Sequence, residues 1–116
     1  MRLQEQSIEI PDTVSEMGDY VFYSSELESV KLSSGLKKLG KNLFDSCDML
    51  TDVTIPDGVT TIGAFCFSDC GISNITVPDS VTNISGNPFD SDMKITWKGT
   101  TYEDSYDFMK AFKGQS

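Results

Sequence analysis

Apolar and polar residues alternate along short stretches of the chain, and these stretches return at a nearly constant spacing. Each begins with an apolar-x-apolar triplet such as Val53-Thr54-Ile55, which predicts a β-strand with one buried face. The four triplets begin at residues 8, 30, 53 and 75, so the spacings are 22, 23 and 22 residues. A period of this length predicts a solenoid, in which each coil buries its apolar face against its neighbours.

The positions that follow each triplet predict packing roles. A Pro-Asp pair removes a backbone donor and turns the chain out of the sheet. A glycine follows in three copies and indicates either a positive φ or a close backbone approach, and Ser85 replaces it in the fourth. We expect the next recurring residue, a phenylalanine, to stack from coil to coil. This aromatic column consists of Phe22, Phe44, Phe67 and Phe89.

The repeat divides the chain into three parts: a lead-in at residues 1–7, a solenoid at residues 8–97 and a terminal cap at residues 98–116. The lead-in contributes Leu3 and little other apolar surface, which is too little to cover the first coil. Either the first coil is exposed, which would favour self-association, or the chain is a fragment of a longer array or ends at a natural repeat terminus. The solenoid contains four repeats and a final strand. These segments are residues 8–29, 30–52, 53–74, 75–94 and 95–97.

The terminal cap is expected to close the far end of the solenoid with a short helix. Asp104 or Ser105 can cap this helix at its start, and Gly114 lies just beyond its end. Such a helix would protect the open edge of the last coil. The residues expected to form its buried face are Tyr106, Met109 and Phe112.

Composition and charge narrow the classes of partner. The formal net charge is -9, and residues 42–93 contain eight aspartates and no basic residue. Because binding to phosphate requires basic groups, we expect no nucleic-acid ligand and no direct membrane binding. No apolar run is long enough for a signal peptide or a membrane span, although a leader removed earlier would leave no trace.

The sequence contains few residues that could catalyse a reaction or bind a metal ion. The chain has no histidine and three cysteines, so we expect no metal site, no cofactor and no catalytic residue. Cys47 and Cys70 occupy one column of the repeat, within reach of a disulfide in stacked coils, and Cys66 precedes Cys70 by four residues. The simpler interpretation is that all three are small buried thiols.

The columns Ile-x-Ile-Pro-Asp-x-Val-x-x-Ile-Gly-x-x-x-Phe-x-x-Cys resemble the BspA-type leucine-rich repeat family of bacterial surface proteins and some protist proteins. The resemblance covers residues 8–92 and is most specific in VTIPDGVTTIGAFCFSDC. It implies a leucine-rich-repeat solenoid, mainly β, with a short parallel sheet, irregular or short helical returns and a capping helix. It also implies adhesion or protein binding at the cell surface or after secretion, with a host or extracellular-matrix partner. Without a signal in this chain, a cytoplasmic location stays open.

Side chains that point outward from successive strands are the candidate binding surface, here called the strand face. They are small and mixed in charge, so an ordinary solvated sheet face is an equally good interpretation. Five strands at about 4.8 Å spacing give an area of roughly 300 Å², against the roughly 800 Å² per partner of a standard interface. We therefore expect weak monovalent binding. The strand face consists of Glu9, Ser29, Lys31, Asp52, Thr54, Asn74, Thr76, Lys94 and Thr96, with Ser7 at its edge.

An alternative function follows from the acidic residues alone. Aspartates recur in the same region of successive coils and could occupy a basic groove on another protein, as an intracellular inhibitor or nucleic-acid mimic would. Their other interpretation is that they solubilise the turns between coils. This acidic group consists of Asp45, Asp48, Asp69, Asp90 and Asp92.

Overall fold

Each predicted triplet forms a strand in the computed structural model, which describes residues 6–114. The first five residues of the lead-in and the last two of the cap lie outside this range. The four repeats are called coils 1 to 4 from here on. The strands of the triplets are β1 (Ser7–Glu9), β3 (Ser29–Lys31), β5 (Asp52–Thr54), β7 (Asn74–Val77) and β9 (Lys94–Trp97).

Each coil also contains a second, shorter strand that the sequence did not predict. These strands pair in parallel as one four-stranded sheet, with an apolar residue such as Leu39 or Ile62 pointing inward. Two residues are too few to display an alternation, which is why the pattern was missed. The second sheet comprises β2 (Glu16–Met17), β4 (Lys38–Leu39), β6 (Thr61–Ile62) and β8 (Asn83–Ile84).

The first sheet is interrupted, contrary to the single short sheet that was expected. β1, β3 and β5 pair in parallel, and β7 pairs with β9, but β5 and β7 are not paired with each other. The strands therefore form two half-sheets of three strands each. The second half-sheet is completed by β10 (Thr100–Tyr102), which runs antiparallel to β9.

The aromatic column is confirmed. Successive rings from Phe22 to Phe89 are stacked, with centroids 5.5, 5.6 and 5.9 Å apart. Phe44 and Phe67 are fully buried. Burial of a phenylalanine side chain contributes roughly 2 to 3 kcal/mol, so this column is a major part of the core.

The glycine column is explained by close approach rather than by a positive φ. A Cβ at Gly63 would lie 2.5 Å from the backbone nitrogen of Lys41, and one at Gly40 would lie 2.8 Å from that of Asp19. Real Cβ atoms do not approach backbone so closely. Gly18 occupies the same column in coil 1 and has nothing within 4 Å of its Cβ position. The requirement for glycine thus comes from the preceding coil.

The returns between the second strand and the next coil consist of hydrogen-bonded turns, and no helix forms there within the described residues. The returns of coils 1 to 3 each contain two residues in the left-handed region, and the return of coil 4 contains one, Gly86, which lets the backbone reverse within a few residues. Backbone N–H groups at alternate positions bond to the next coil, as in Phe22 N to Leu43 O at 3.0 Å and Phe44 N to Cys66 O at 2.8 Å. The returns therefore form a third set of contacts along the solenoid.

The cap begins with a hairpin. Lys98 and Gly99 connect β9 to β10 with φ values of 51° and 83°, as a two-residue hairpin turn with both central residues left-handed requires. Helix α1 (Ser105–Gly114) follows, and Asp104 is its N-cap because its Oδ1 accepts from Asp107 N at 2.8 Å.

The predicted buried face of α1 is wrong at one position. Tyr106 is 70% exposed, and Phe108 is fully buried in its place. Met109 and Phe112 are buried as expected, so the inward residues are spaced by one and three rather than by three throughout. Phe108 packs edge to face against Phe89 with centroids 5.8 Å apart, which closes the aromatic column.

Candidate functional site

The strand face lies on the first sheet. Its predicted side chains alternate with inward residues such as Val30 and Ile75, which are 5% exposed. Seven of the nine are exposed, while Ser29 and Thr96 are partly covered by their neighbours. Because side chains alternate between the two faces of a strand, the sequence predicted that these residues lie on the outer side of the sheet, as they do.

The interruption between β5 and β7 divides the strand face into two parts. Asp52 and Thr54 stand on one side of the break, and Asn74 and Thr76 stand on the other. A groove of about 390 Å³ runs along the break and is lined by all four residues. The sequence did not predict this groove, because the spacing of the repeats is regular across it.

A second, wider groove of about 810 Å³ lies beside the first, at the ends of the strands. The two share Asp57, Thr76 and Pro78, and the second extends to Lys98 in the β9–β10 turn. The groove therefore has carboxylates at one end and an ammonium group at the other. Lys98 Nζ also lies 5.1 Å from the centre of the Trp97 ring.

Ion pairs and hydroxyl contacts connect neighbours on the strand face. Lys31 Nζ lies 3.8 Å from Glu9 Oε2 in the register that pairs β1 with β3. Thr96 Oγ1 lies 2.9 Å from Thr101 Oγ1, so β10 adds a strand to the face that the sequence did not predict. These contacts are solvent-exposed and add little stability, which leaves the side chains available to a partner.

The acidic group lies on the returns, as predicted. Asp48, Asp69, Asp90 and Asp92 line a groove of about 650 Å³ together with Cys70. At least one of these carboxylates also links neighbouring turns, because Asp90 Oδ1 accepts a hydrogen bond from Asp69 N at 2.7 Å. Within residues 6–114, no three histidine, cysteine or acidic residues are arranged to hold a metal ion.

The cysteines are free thiols with hydrogen-bonding roles. Cys47 Sγ donates to Phe22 O at 2.9 Å, and Cys70 Sγ donates to Phe44 O at 3.2 Å, so each thiol bonds to the preceding coil. Burial raises the pKa of the Cys66 thiol, and the neighbouring Cys70 raises it further. Burial likewise raises the pKa of Cys70, with a smaller contribution from Cys47. Protonated thiols are poor nucleophiles and poor metal ligands.

Exposed aromatic side chains lie on the returns and, as Tyr106, on α1, rather than on the strand face. Phe65 is 55% exposed, and Tyr20 occupies the same column in coil 1 with its ring against Tyr23. Both Phe65 and Tyr20 are left-handed, with φ of 59° and 64°. The sequence contains a signal for this, because Phe65 lies two residues before the core Phe67 and outside the repeating column.

No helix within the described part of the chain is long and apolar enough to cross a membrane. This finding concerns residues 6–114 only.

Comparison with known proteins identifies the repeat. A family model for the BspA type leucine rich repeat region matches residues 3–96 as six copies. No curated protein matches significantly. A leucine-rich repeat protein from Bacteroides ovatus is 29% identical, with 81% of this chain and 25% of that one covered and a TM-score of 0.73. The T. pallidum leucine-rich repeat protein is 22% identical, with 82% and 53% covered and a TM-score of 0.66.

The chain thus spans between a quarter and about half of the length of these two structures. The Bacteroides ovatus and T. pallidum proteins share the solenoid fold described above, and the family model covers nearly all of the predicted repeat region. The chain belongs to the BspA-type leucine-rich repeat family.

Proposed function

We propose that the chain is a non-catalytic protein-binding module of a cell-surface or secreted repeat protein, and that the strand face binds the partner. The observation that carries this proposal is the groove between the two half-sheets, which is flanked by exposed residues of the strand face. Solenoids recognise partners through residues that line up from coil to coil. A host or extracellular-matrix protein is the class of partner that the family suggests.

The groove suits an extended polypeptide that lies along its mouth. Cα atoms of β5 and β7 come within 8 Å of each other, which is less than the roughly 9.6 Å that a strand inserted between them would need. β5 pairs with β3 and β7 pairs with β9, so each has one edge that faces the groove without a strand partner. A peptide along the mouth would contact the side chains of both edges, and these side chains would supply selectivity. Thr54 and Thr76 stand on opposite walls at the middle of this arrangement.

A non-catalytic role fits the chemistry of the chain. It has no histidine, and burial holds the thiols of Cys66 and Cys70 protonated near neutral pH. Carboxylates such as Asp90 bond to the backbone of a neighbouring coil. No pair of these groups offers the nucleophile and base that covalent catalysis needs.

Affinity for a single partner is expected to be weak. The strand face contains no aromatic residue, although aromatic residues commonly dominate binding energy. With β10 included, its area is roughly 400 Å² and stays below the roughly 800 Å² of a standard interface. Strong binding would then require several copies or a second surface. A sub-micromolar monovalent complex confined to the strand face would contradict this estimate.

The test is a binding comparison with matched arginine variants. The protein is displayed as four copies on streptavidin beads and incubated with extracellular-matrix extract, and each retained protein is quantified by mass spectrometry. Thr54→Arg combined with Thr76→Arg fills the groove from both walls and should lower retention at least about tenfold. Asn83→Arg, on the exposed side of β8, should leave it unchanged. Equal retention by the double variant and by the wild type would contradict the proposal.

The alternative, an acidic inhibitor that binds a basic protein surface, is supported by the groove that Asp69, Asp90 and Asp92 line. It predicts a different result in the same experiment. Asp92→Asn combined with Asp48→Asn would then abolish retention of basic proteins, and about 0.3 M salt would release them. If the groove variants alone lower retention, the strand face is the binding surface.

A further inference from the structure

The two grooves beside the strand face meet at the turns that follow β5 and β7. The groove between these strands and the wider groove of about 810 Å³ share Asp57, Thr76 and Pro78. A peptide that lies along the mouth of the first groove therefore continues into the wider one. There it meets the side chains of Asp57, Asp79 and Lys98, which carry the charges of the wider groove.

The charges of the wider groove are arranged by the repeat. Asp57 and Asp79 are equivalent residues of the Pro-Asp pairs that follow β5 and β7. β9 pairs with β7 in register, so Lys98 follows β9 directly, as Pro78 follows β7. The turns after β5 and β7 thus carry carboxylates, and the turn after β9 carries an ammonium group. Within residues 6–114 none of these three charged groups forms an ion pair, so all three can bind a ligand.

Lys98 has a backbone conformation that is unusual for lysine. It is the first central residue of the turn between β9 and β10, with φ of 51°. Such turns favour Asn, Asp or Gly at this position, because the left-handed region is costly for residues with longer side chains. The turn geometry therefore does not explain the lysine. Residues held in sparsely populated backbone regions cluster at sites that bind ligands.

The Trp97 ring helps to position the Lys98 ammonium. Lys98 Nζ lies 5.1 Å from the centre of the ring, which attracts a cation to its face. Trp97 is itself fixed by packing against Phe108 and Phe112 and is 7% exposed. A long side chain held at one place loses less conformational entropy when it binds a ligand.

The distance between the charges sets the pattern that a ligand must match. Asp57 and Lys98 are separated by two coil spacings, which is roughly 10 Å at 4.8 Å per coil. An extended peptide rises about 3.3 Å per residue and spans this distance with about three residues. A complementary peptide therefore carries a basic residue and a carboxylate at this separation.

We propose that Lys98 binds a carboxylate of the partner peptide, and that Asp57 and Asp79 bind a basic residue about three positions away from that carboxylate. The wider groove thereby selects the partner by its charge pattern. This inference rests on the proposed function, because it supplies the chemistry of the peptide that the strand face binds. The carboxylate belongs to an acidic side chain or to the C-terminus of the peptide, and the experiment distinguishes the two sources.

The probe is a phage library of random dodecapeptides with free C-termini, selected on the biotinylated 116-residue protein. Parallel selections use Lys98→Glu and the matched control Lys110→Glu, which makes the same change of charge at an exposed position of α1. One enriched peptide is then synthesised as its C-terminal acid and as its C-terminal amide. Fluorescence anisotropy gives the affinity of each form for the wild type and for the variants.

Peptides selected on the wild type should carry an acidic residue or their C-terminus about three positions from Lys or Arg. Lys98→Glu should weaken a wild-type-selected peptide about tenfold or more, and Lys110→Glu should leave its affinity unchanged. Lysine in place of the acidic residue should improve binding to Lys98→Glu about tenfold, a gain that a misfolded variant could not produce. Equal affinity of the acid and amide forms assigns the carboxylate to a side chain, and loss with the amide assigns it to the C-terminus.

Two results would overturn the inference, and they differ in what they say of the proposed function. If the selected peptides require Thr54 and Thr76 but bind the wild type and Lys98→Glu equally, Lys98 does not select the partner, and the proposed function stands. If Thr54→Arg combined with Thr76→Arg weakens none of the selected peptides, the strand face does not bind them. The proposed function and this inference then fail together.

Discussion

The two ends of the solenoid continue the same columns of residues and differ in what covers them. At the C-terminal end, Phe89 stacks on Phe67 and meets Phe108 of α1, and both Phe89 and Phe108 are buried. At the N-terminal end, Phe22 stacks on Phe44 alone among the described residues and is only partly buried. A residue of the repeat therefore becomes core only when a neighbour covers it.

The two ends also differ in whether a further strand pairs with the outermost strand of the first sheet. β10 pairs with β9 and covers the edge of the first sheet, whereas no strand within residues 6–114 pairs with the outer edge of β1. An open edge is a place where another strand can add. The repeating columns therefore form buried core where a neighbouring segment stacks on them.

The sharpest test of the comparison removes one aromatic ring at each end. Phe108→Ala should lower the free energy of unfolding by about 3 to 5 kcal/mol, because the ring is fully buried among other aromatic rings. Phe22→Ala should cost about 1 to 2 kcal/mol, since part of its surface already faces water. Both values come from urea unfolding monitored by circular dichroism. Equal losses would show that the N-terminal end is as well covered as the cap.

Substitutions in the glycine column test the same comparison through backbone contacts between coils. Gly63→Ala should destabilise the protein by roughly 2 kcal/mol or more, because its Cβ would meet the Lys41 backbone of the preceding coil at 2.5 Å. Gly18→Ala has open space around the new Cβ and should be neutral or slightly stabilising. Thermal unfolding of the two variants checks the difference. A loss at Gly18 that matches the loss at Gly63 would refute the explanation by coil stacking.

The buried thiol of Cys66 should make the stability of the interior of the solenoid depend on pH. Burial raises the pKa of Cys66 above its ordinary value of 9.0, so the native thiol stays protonated where the unfolded thiol ionises. This contribution is complete below pH 9 and is lost above it, at about 1.4 kcal/mol per pH unit. Coil 1 has Val21 in the column of Cys66 and contributes no such effect.

The measurement compares wild type with Cys66→Ala by urea unfolding at pH 7.5 and pH 10. The variant should be less stable at pH 7.5, because a buried side chain is truncated, and the gap should narrow by about 1 kcal/mol at pH 10. Titratable groups that both proteins share contribute equally to the two free energies of unfolding, so they cancel when one is subtracted from the other. A gap that stays constant with pH would show that the thiol is more accessible to solvent than its burial indicates.

The smallest effect is expected from the exposed ion pair on the strand face. Glu9→Gln should change the free energy of unfolding by less than about 0.5 kcal/mol, because its carboxylate and the Lys31 ammonium are both well solvated at 3.8 Å. Lys94→Gln, at the other end of the face, should behave alike despite its pair with Glu103 at 3.6 Å. A larger loss at either position in a thermal melt would reveal a stabilising role for the strand face.

The repeat predicted the features that depend on period alone. The strands, the aromatic column and the outward residues of the strand face all follow from a spacing near 22 residues. The family, the C-terminal helix and its acidic start at Asp104 were also predicted correctly. Each of these rests on a local pattern or on one that recurs at a fixed distance.

The features that were missed depend on the path of the backbone. β2, β4, β6 and β8 are two residues long and carry no visible alternation. The groove at β5 and β7 arises where two regular strands diverge, so no residue type marks it. Tyr106 was assigned to the core because its spacing fits, whereas the rotation of α1 directs Phe108 inward. Whether Thr54 and Thr76 bind a partner stays a prediction.

Residue-resolved hydrogen exchange of the native protein tests the central claim most directly. Phe22 N and Phe44 N make equivalent hydrogen bonds to the following coil, at 3.0 and 2.8 Å, so a difference in their protection reports the coverage of the coil. If the N-terminal coil is an uncovered stacking position, Phe22 should exchange at least about tenfold faster than Phe44, and Ser24 faster than Ser46. Equal protection in coils 1 and 2 would contradict the account.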